Sequence, residues 1–392
     1  MIQNKDKETC CGCTACESIC PTGAISMKAD PLGFLYPHID INKCIECGLC
    51  ERVCSFHSHY SKEDNLPEPN IYAVRHKSIE QIERSRSGAM FIALSDFILE
   101  NGGIVYGAGY TDHFRVVHKR ADNIELRNEF RGSKYVQSDL NTVFRQVKSD
   151  LCEGRWVLFS GTPCQTSGLK SFLSLSRTDC TNLYVVDIVC HGVPSPYFWR
   201  DYTTYIEGRE GQSIVTVNFR DKQELGWTAH KESFVMKDGK KCIEDSYTLL
   251  FYEHIMFRHS CGICPYCNFT RPSDITLADY WGWERVNKSF NADDKGVSLV
   301  LVNTPKGDKW FHQVQDRIDY FTTNATACLQ PNLSHPSKIH LFRGQFERDY
   351  KRKGIGYIIR HYTGKGWRFK FRKIIQKIVS LAQQFGKRMA NL

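Results

Sequence analysis

Two runs set the texture of the middle of the chain: Trp156-Val157-Leu158-Phe159-Ser160 and Leu183-Tyr184-Val185-Val186-Asp187-Ile188-Val189. Neither alternates apolar with polar, so both read as strands covered on both faces. A helical pattern from about Thr166 to Leu175 lies between them. Upstream, Ile71-Tyr72-Ala73-Val74-Arg75 and Ile104-Val105-Tyr106-Gly107-Ala108 read as further strands. They flank an amphipathic helix over Gly88 to Glu100 that Gly102-Gly103 closes. Residues 71–340 are thus predicted to be an α/β domain with a mixed, partly parallel sheet. The first 60 residues differ. Each half runs through closely spaced cysteines, a short helix and a strand such as Ala24-Ile25-Ser26-Met27, an α+β ferredoxin-like module with internal pseudo-symmetry. Residues 61–70 are polar and proline-marked and read as a linker. In residues 341–392, Trp367, Phe371, Ile374, Ile378, Leu381 and Phe385 recur at helical spacing among Arg368, Lys370, Arg372, Lys373 and Lys377. That pattern predicts a basic amphipathic C-terminal helix.

Charge refines this picture. The chain of 392 residues has a formal net charge of +9, yet fourteen Lys/Arg against Glu347 and Asp349 lie after residue 340. The basicity therefore belongs to the tail. Such a helix suits a peripheral membrane surface or an acidic protein, or else folds back with a solvated basic face. No base-reading motif accompanies it, so nucleic acid is not expected. No apolar run approaches the ~20 residues of a membrane span. Eighteen cysteines follow a polar opening with no secretion pattern, which points to a reducing cytoplasm and to metal sites.

The spacing of those cysteines carries the chemistry. Cys10, Cys13, Cys16 and Cys20 precede Pro21, and Cys44, Cys47, Cys50 and Cys54 repeat the run with Ser55 after it. C-x2-C-x2-C-x3-C supports a 4Fe–4S cluster, and in two-cluster ferredoxins the fourth cysteine of each run ligates the other cluster. Zinc would stop at four ligands in two knuckles, and disulfide frameworks belong to small secreted domains; two 4Fe–4S clusters are the expectation. Cys11 is surplus.

In the body, each central strand leads into a loop of distinctive composition: Gly161-Thr162-Pro163-Cys164-Gln165 and Cys190-His191-Gly192-Val193-Pro194-Ser195-Pro196. Ligands of open α/β sheets gather at the carboxyl ends of strands, and Gly161 would let a bound group approach the backbone. Cys261, Cys264 and Cys267 form a third C-x2-C-x2-C run and need a fourth thiolate for a third 4Fe–4S cluster; Cys164 and Cys190 are both open as donors. Cys152, Cys180, Cys242 and Cys328 stand alone and are expected to be buried thiols. Gly107-Ala108-Gly109 lacks the third glycine of a dinucleotide fingerprint, and no Walker loop is present.

These motifs, taken in order, resemble the family of coenzyme F420 hydrogenase/dehydrogenase beta subunits over residues 70–340. The carrying segments are Arg84-Ser85-Arg86-Ser87-Gly88-Ala89, Gly132-Ser133-Lys134-Tyr135-Val136-Gln137-Ser138, the Cys164 and Cys190 loops, Ala278-Asp279-Tyr280-Trp281-Gly282 and Asp294-Lys295-Gly296-Val297-Ser298. The resemblance implies FAD beside a cluster, with Ser87, Gly88, Ser133, Lys134, Gln137, Gly161, Thr162 and Lys295 around the flavin. His191 and Asp279 are candidates for proton handling. Ala89 and Arg86 depart from the family pattern, the latter charging the flavin mouth. The implied activity is an iron–sulfur flavoprotein oxidoreductase working between a small-molecule substrate and a one-electron carrier such as ferredoxin. The substrate would be organic or hydride-carrying, reduced coenzyme F420 among the candidates. A non-enzymatic electron-relay component of a larger complex is the alternative.

Overall fold

The computed structural model describes residues 2, 7–56, 60–364, 371 and 374. Thirteen strands appear among them: β1 (Ile25–Ala29), β2 (Leu35–Ile39), β3 (Asn70–His76), β4 (Ile104–Thr111), β5 (Arg115–Ala121), β6 (Val157–Gly161), β7 (Leu183–Ile188), β8 (Ile214–Asn218), β9 (Glu232–Met236), β10 (Lys241–Glu244), β11 (Ile275–Asp279), β12 (Ser298–Val302) and β13 (Ile318–Thr322). Eight form one mixed sheet in the order β13-β3-β12-β11-β7-β6-β4-β5. Its centre is parallel, β4 with β6, β6 with β7 and β7 with β11. The flanking pairs are antiparallel. The α/β expectation therefore holds, with the parallel part confined to four strands.

The apolar runs behave as their lack of alternation predicts. Leu158 and Val186 pack on one face against the helices Met90–Glu100 and Pro305–Gln313. Val157, Phe159, Leu183 and Val185 pack on the other against the helices Val143–Cys152 and Pro163–Leu175. Each fully buried side chain of this size contributes about 1.5–3 kcal/mol. The register aligns Gly161 with Asp187 and Leu277 with Ile188, so the carboxyl ends of β6, β7 and β11 lie side by side.

Beyond β7, the helix Pro196–Glu210 leads into a small antiparallel sheet, β10-β9-β8. Trp199, Tyr202, Phe219, Phe234 and Tyr247 form its core. The helix Arg343–Tyr362, interrupted at Gly354 (φ +71°), lays Phe346, Tyr350, Ile358 and Tyr362 onto the same cluster. The predicted amphipathic pattern from Trp367 to Phe385 lies outside the described residues, apart from Phe371 and Ile374.

The N-terminal module contains the hairpin β1–β2 and the helices Ala15–Ile19 and Leu49–Arg52. Its second half departs from the expected pattern. Strand β2 precedes the second cysteine run, and among the described residues no strand follows the helix Leu49–Arg52 before β3. The module is also built into the body. Ala15, Cys16, Ile25 and Val53 share a core with Phe144, Leu169 and Phe172, and Leu32 and Phe34 join the Trp199 cluster. The linker is pinned as well: Tyr60 Oη donates to Thr270 O at 2.5 Å and Asn65 Nδ2 to Arg271 O at 2.9 Å.

Candidate redox site

Local backbone geometry brings the module's cysteines together. Gly12 (φ +72°) and Gly48 (φ +71°) hold the left-handed conformation between successive cysteines, which costs glycine little and other residues more. Cys44, Cys47 and Cys50 line one cavity with Cys20 from the other run. Cys16 has Cys10, Cys13 and Cys54 as its charged neighbours, and with burial they push its thiol well up. The fourth cysteine of each run thus faces the other run's triplet. Among the described residues no three His, Cys, Asp or Glu side chains sit close enough to grip a single ion.

A second set of thiols comes from three segments of the body. Cys164 lies in the first turn of the helix Pro163–Leu175, which begins where Pro163 fixes the first position and Thr162 N donates to Gln165 Oε1 at 3.0 Å. Cys190 follows β7, and Cys261, Cys264 and Cys267 run through and past the short turn His259–Ile263. Cys190 lies among Cys261, Cys164 and Cys267, and its burial pushes its thiol far up. Burial likewise raises Cys261 to about 12, although its Sγ accepts from Val193 N at 3.4 Å. A hydrogen bond from Cys264 holds Cys267 near 7, and one from Cys11 holds Cys164 near 7. The triplet is anchored by Arg271, which pairs with the fully buried Asp187 at 3.2 Å and donates to Ile188 O at 2.9 Å.

Cys11, surplus to the spacing, sits where the module meets the body. It is 6% exposed and lies between Cys13 of the module and Cys164 of the body. Two side chains fasten this seam. Gln137 donates to Cys11 O at 2.9 Å and accepts from Arg258 at 2.9 Å. Arg258, fully buried, donates to Cys10 O at 2.7 Å, to Leu35 O at 2.8 Å and to Cys10 Sγ at 3.5 Å, with its guanidinium over the Tyr36 ring. A Cβ on Gly168 would lie 2.8 Å from Cys13 Sγ, so the body's helix touches the module's cysteine directly. Ser55, standing where the first run has proline, lies 3.4 Å from the buried Tyr266 hydroxyl inside the third cysteine run. The two cysteine systems are contiguous.

The residues implied for a flavin divide into two groups. Gly161, Thr162, Ser133, Lys134 and Gln137 lie on the loops around the end of β6. Lys134 Nζ is held by Arg131 O at 3.1 Å over the Tyr110 ring, and burial lowers its ammonium to about 7. Ser87, Gly88 and Lys295 lie near the ends of β3 and β12. Ser87 Oγ donates to Val297 O at 2.5 Å, Lys295 pairs with Glu83 at 2.6 Å, and a Cβ on Gly88 would strike Val74 O at 2.1 Å. Gly88 is thus required by sheet packing, and the Gln137 amide is committed to the seam.

Between the groups lies a cluster of charged side chains rich in cations. Arg220 pairs with Asp279 at 2.6 Å, Arg86 faces the same carboxylate at 3.8 Å, and the buried Nε of Arg86 makes no hydrogen bond. Lys222 donates to Lys295 O at 2.7 Å, and burial lowers it to about 7. Trp227 stacks on Trp281 with ring centroids 4.8 Å apart, and His230 lies 3.1 Å from Arg220. His191, held near 4 by burial, reaches the same charges. Three basic side chains around one carboxylate beside flat aromatic rings suit an anionic, ring-bearing ligand.

Sequence reasoning missed Arg258, Arg271, Arg220 and Lys222. The first two carried a signal, since they flank the Cys261 run by three and four residues. Nothing in the sequence marks the other two. The solitary cysteines also differ from expectation: Cys152 is exposed and Cys180 partly so, while Cys242 and Cys328 are buried. No described helix is long and apolar enough to cross a membrane.

Known proteins share both halves of this arrangement. Residues 154–327 match the family described as the C terminus of the coenzyme F420 hydrogenase/dehydrogenase beta subunit, and residues 9–58 match the 4Fe-4S dicluster domain. The chain is 22% identical over 325 residues to the F subunit of the F(420)H(2) dehydrogenase from Methanosarcina mazei, covering 80% of this chain and 84% of that protein. A structure of the F420-reducing NiFe hydrogenase complex from Methanosarcina barkeri aligns with a TM-score of 0.45 and 17% identity, over 76% of this chain and 93% of the other.

Proposed function

We propose a function from the premise that this chain joins a 4Fe–4S dicluster domain to a body of the family of coenzyme F420 hydrogenase/dehydrogenase beta subunits, an iron–sulfur redox protein. The chain works as an oxidoreductase that moves electrons between an organic or hydride-carrying substrate and a one-electron carrier such as ferredoxin. Reduced coenzyme F420, after which its Methanosarcina mazei relative is named, is the first substrate to try. A bound FAD would exchange hydride on one side and single electrons on the other.

This chain's residues have separable tasks. Cys10, Cys13, Cys16 and Cys54 hold one cluster, and Cys44, Cys47, Cys50 and Cys20 hold the second. Cys261, Cys264, Cys267 and Cys190 hold a third; Cys190 is chosen over Cys164 because its nearest partners are the run itself, whereas Cys164 is engaged by Cys11 and by Thr162 at 3.2 Å. Lys134, with Arg86, Arg220 and Lys222, receives the anionic parts of flavin and substrate. Asp279, fixed by Arg220, orients the cation pair, and His191 supplies a neutral imidazole beside these charges for proton handling.

The observation that carries this reading is the continuous thiol seam from the Cys261 run through Cys164 and Cys11 to Cys13. Anaerobic protein mixed with reduced coenzyme F420 is expected to lose flavin absorbance and then to develop the spectrum of reduced clusters. Iron without flavin would contradict the enzymatic reading and favour a relay role within a larger complex. In a paired test, Cys190→Ala is expected to lose about four iron atoms per chain, while Cys164→Ala keeps them; the reverse result would exchange their roles.

A further inference from the structure

Exposure is graded along the cysteine system. Cys11 and Cys16 are buried, whereas Cys47, beside Gly48, is exposed. The second module cavity is therefore the one that meets solvent. Beside it stand Ile41, 76% exposed, and Ile45, 64% exposed, the two most exposed large apolar side chains among the described residues. Single exposed isoleucines are ordinary, but two flanking one cysteine run form a patch that a partner would cover. Ile45 and Cys20 line the cavity together. On its other side Cys20 opens onto a groove formed with Pro21, Phe172, Arg145 and Lys148, and no residue lining that groove is acidic.

We propose that this apolar patch and its cationic groove are the docking surface for a small acidic one-electron carrier protein. The inference rests on the electron-transfer reading above and names its partner's chemistry and its place of contact. Two exposed isoleucines near a groove that carries Arg145 and Lys148, with Glu46 the acidic residue at the cavity itself, suit a small, transient interface, since redox encounters bury the least area of specific complexes. Charge complementarity steers such encounters and makes their rates depend on salt. Cys47 is the exposed cysteine of the module, so a carrier docked there meets the second cysteine run first.

The test uses full-length protein with its clusters loaded and chemically reduced, so it needs no knowledge of the substrate. Reduced protein is mixed with an oxidised, acidic two-cluster ferredoxin or with methyl viologen, a dye that needs no docking surface. Ile41→Asp and Lys148→Glu, made separately, are expected to slow ferredoxin reduction roughly tenfold, with dye reduction and iron content unchanged. The wild-type rate to ferredoxin should fall severalfold as salt rises from about 50 to about 300 mM. Variant rates equal to wild type, a wild-type rate indifferent to salt, or a permanent protein partner seated on Ile41 would overturn the docking surface. Loaded wild-type protein that reduces neither acceptor would instead overturn the electron-transfer reading.

Discussion

The cysteine seam and the cationic side-chain cluster are assembled in opposite ways. In the N-terminal module nine thiols come from 45 consecutive residues, and left-handed residues within each run, Gly12 and Thr14 in the first and Glu46 and Gly48 in the second, curl the chain locally. The side-chain cluster draws Arg86, Arg220, Asp279 and His191 from four separate segments, and they meet only because the ends of β7 and β11 lie together and the β8–β10 sheet folds over them. A site encoded by spacing tolerates change in the surrounding fold. A site encoded by topology depends on buried polar anchors, and its weakest points are those anchors.

The largest effect should come at the anchor of the Cys261 run. Arg271→Leu leaves Asp187 as an unpaired buried carboxylate and is expected to destabilise the protein by about 3–5 kcal/mol, read as a lowered urea midpoint. If Arg271→Leu unfolds at the wild-type midpoint, the Cys261 run is not held by this pair. Next, Gly168→Ala sharpens the contact between module and body. Alanine inside a helix normally helps by about 1 kcal/mol, but here the added Cβ meets Cys13 at 2.8–2.9 Å. A net loss of about 1–3 kcal/mol is expected, together with easier loss of iron. A gain in stability would mean that module and helix are not in contact in solution.

Arg258→Gln separates charge from structure at the seam. The guanidinium donates to Cys10 Sγ, and a buried cation beside a cluster favours its reduced, more negative form. The midpoint potential of the cluster proposed to be held by Cys10 should fall by tens of millivolts in an electrochemical titration, with Arg258→Lys intermediate. Unchanged potentials would reduce Arg258 to a fastener.

The smallest effect concerns Lys134, on the loops around the end of β6. Burial holds Lys134 near 7, below the ordinary lysine range, so between those values the unfolded chain binds a proton that the folded chain does not. Stability of flavin-free protein should therefore rise with pH through that window. Lys134→Met should remove about 1 kcal/mol of that rise, measured as the change in urea midpoint between neutral and alkaline pH. An identical pH profile in the variant would show that this ammonium is solvated.

The contrast also explains what the sequence reveals. The α/β class follows from Val157–Phe159 and Leu183–Val186, because strands buried on both faces cannot alternate. The cysteine sets follow from spacing, which is a local property of the chain. The place of Cys11 does not, since its neighbour Cys164 is 153 residues away, and only packing of the module against the helix Pro163–Leu175 brings them together. Arg220 and Lys222 are equally silent in the sequence. A charged residue in a polar stretch reads as solvated until the β8–β10 sheet turns it inward.

The central claim is that a third thiol-held cluster, in the body, continues the two of the module. Counting iron and acid-labile sulfide in anaerobically prepared full-length protein tests it most directly: about twelve of each per chain are predicted, falling to about eight in Cys261→Ser. About eight of each in the wild-type protein, unchanged by Cys261→Ser, would contradict it.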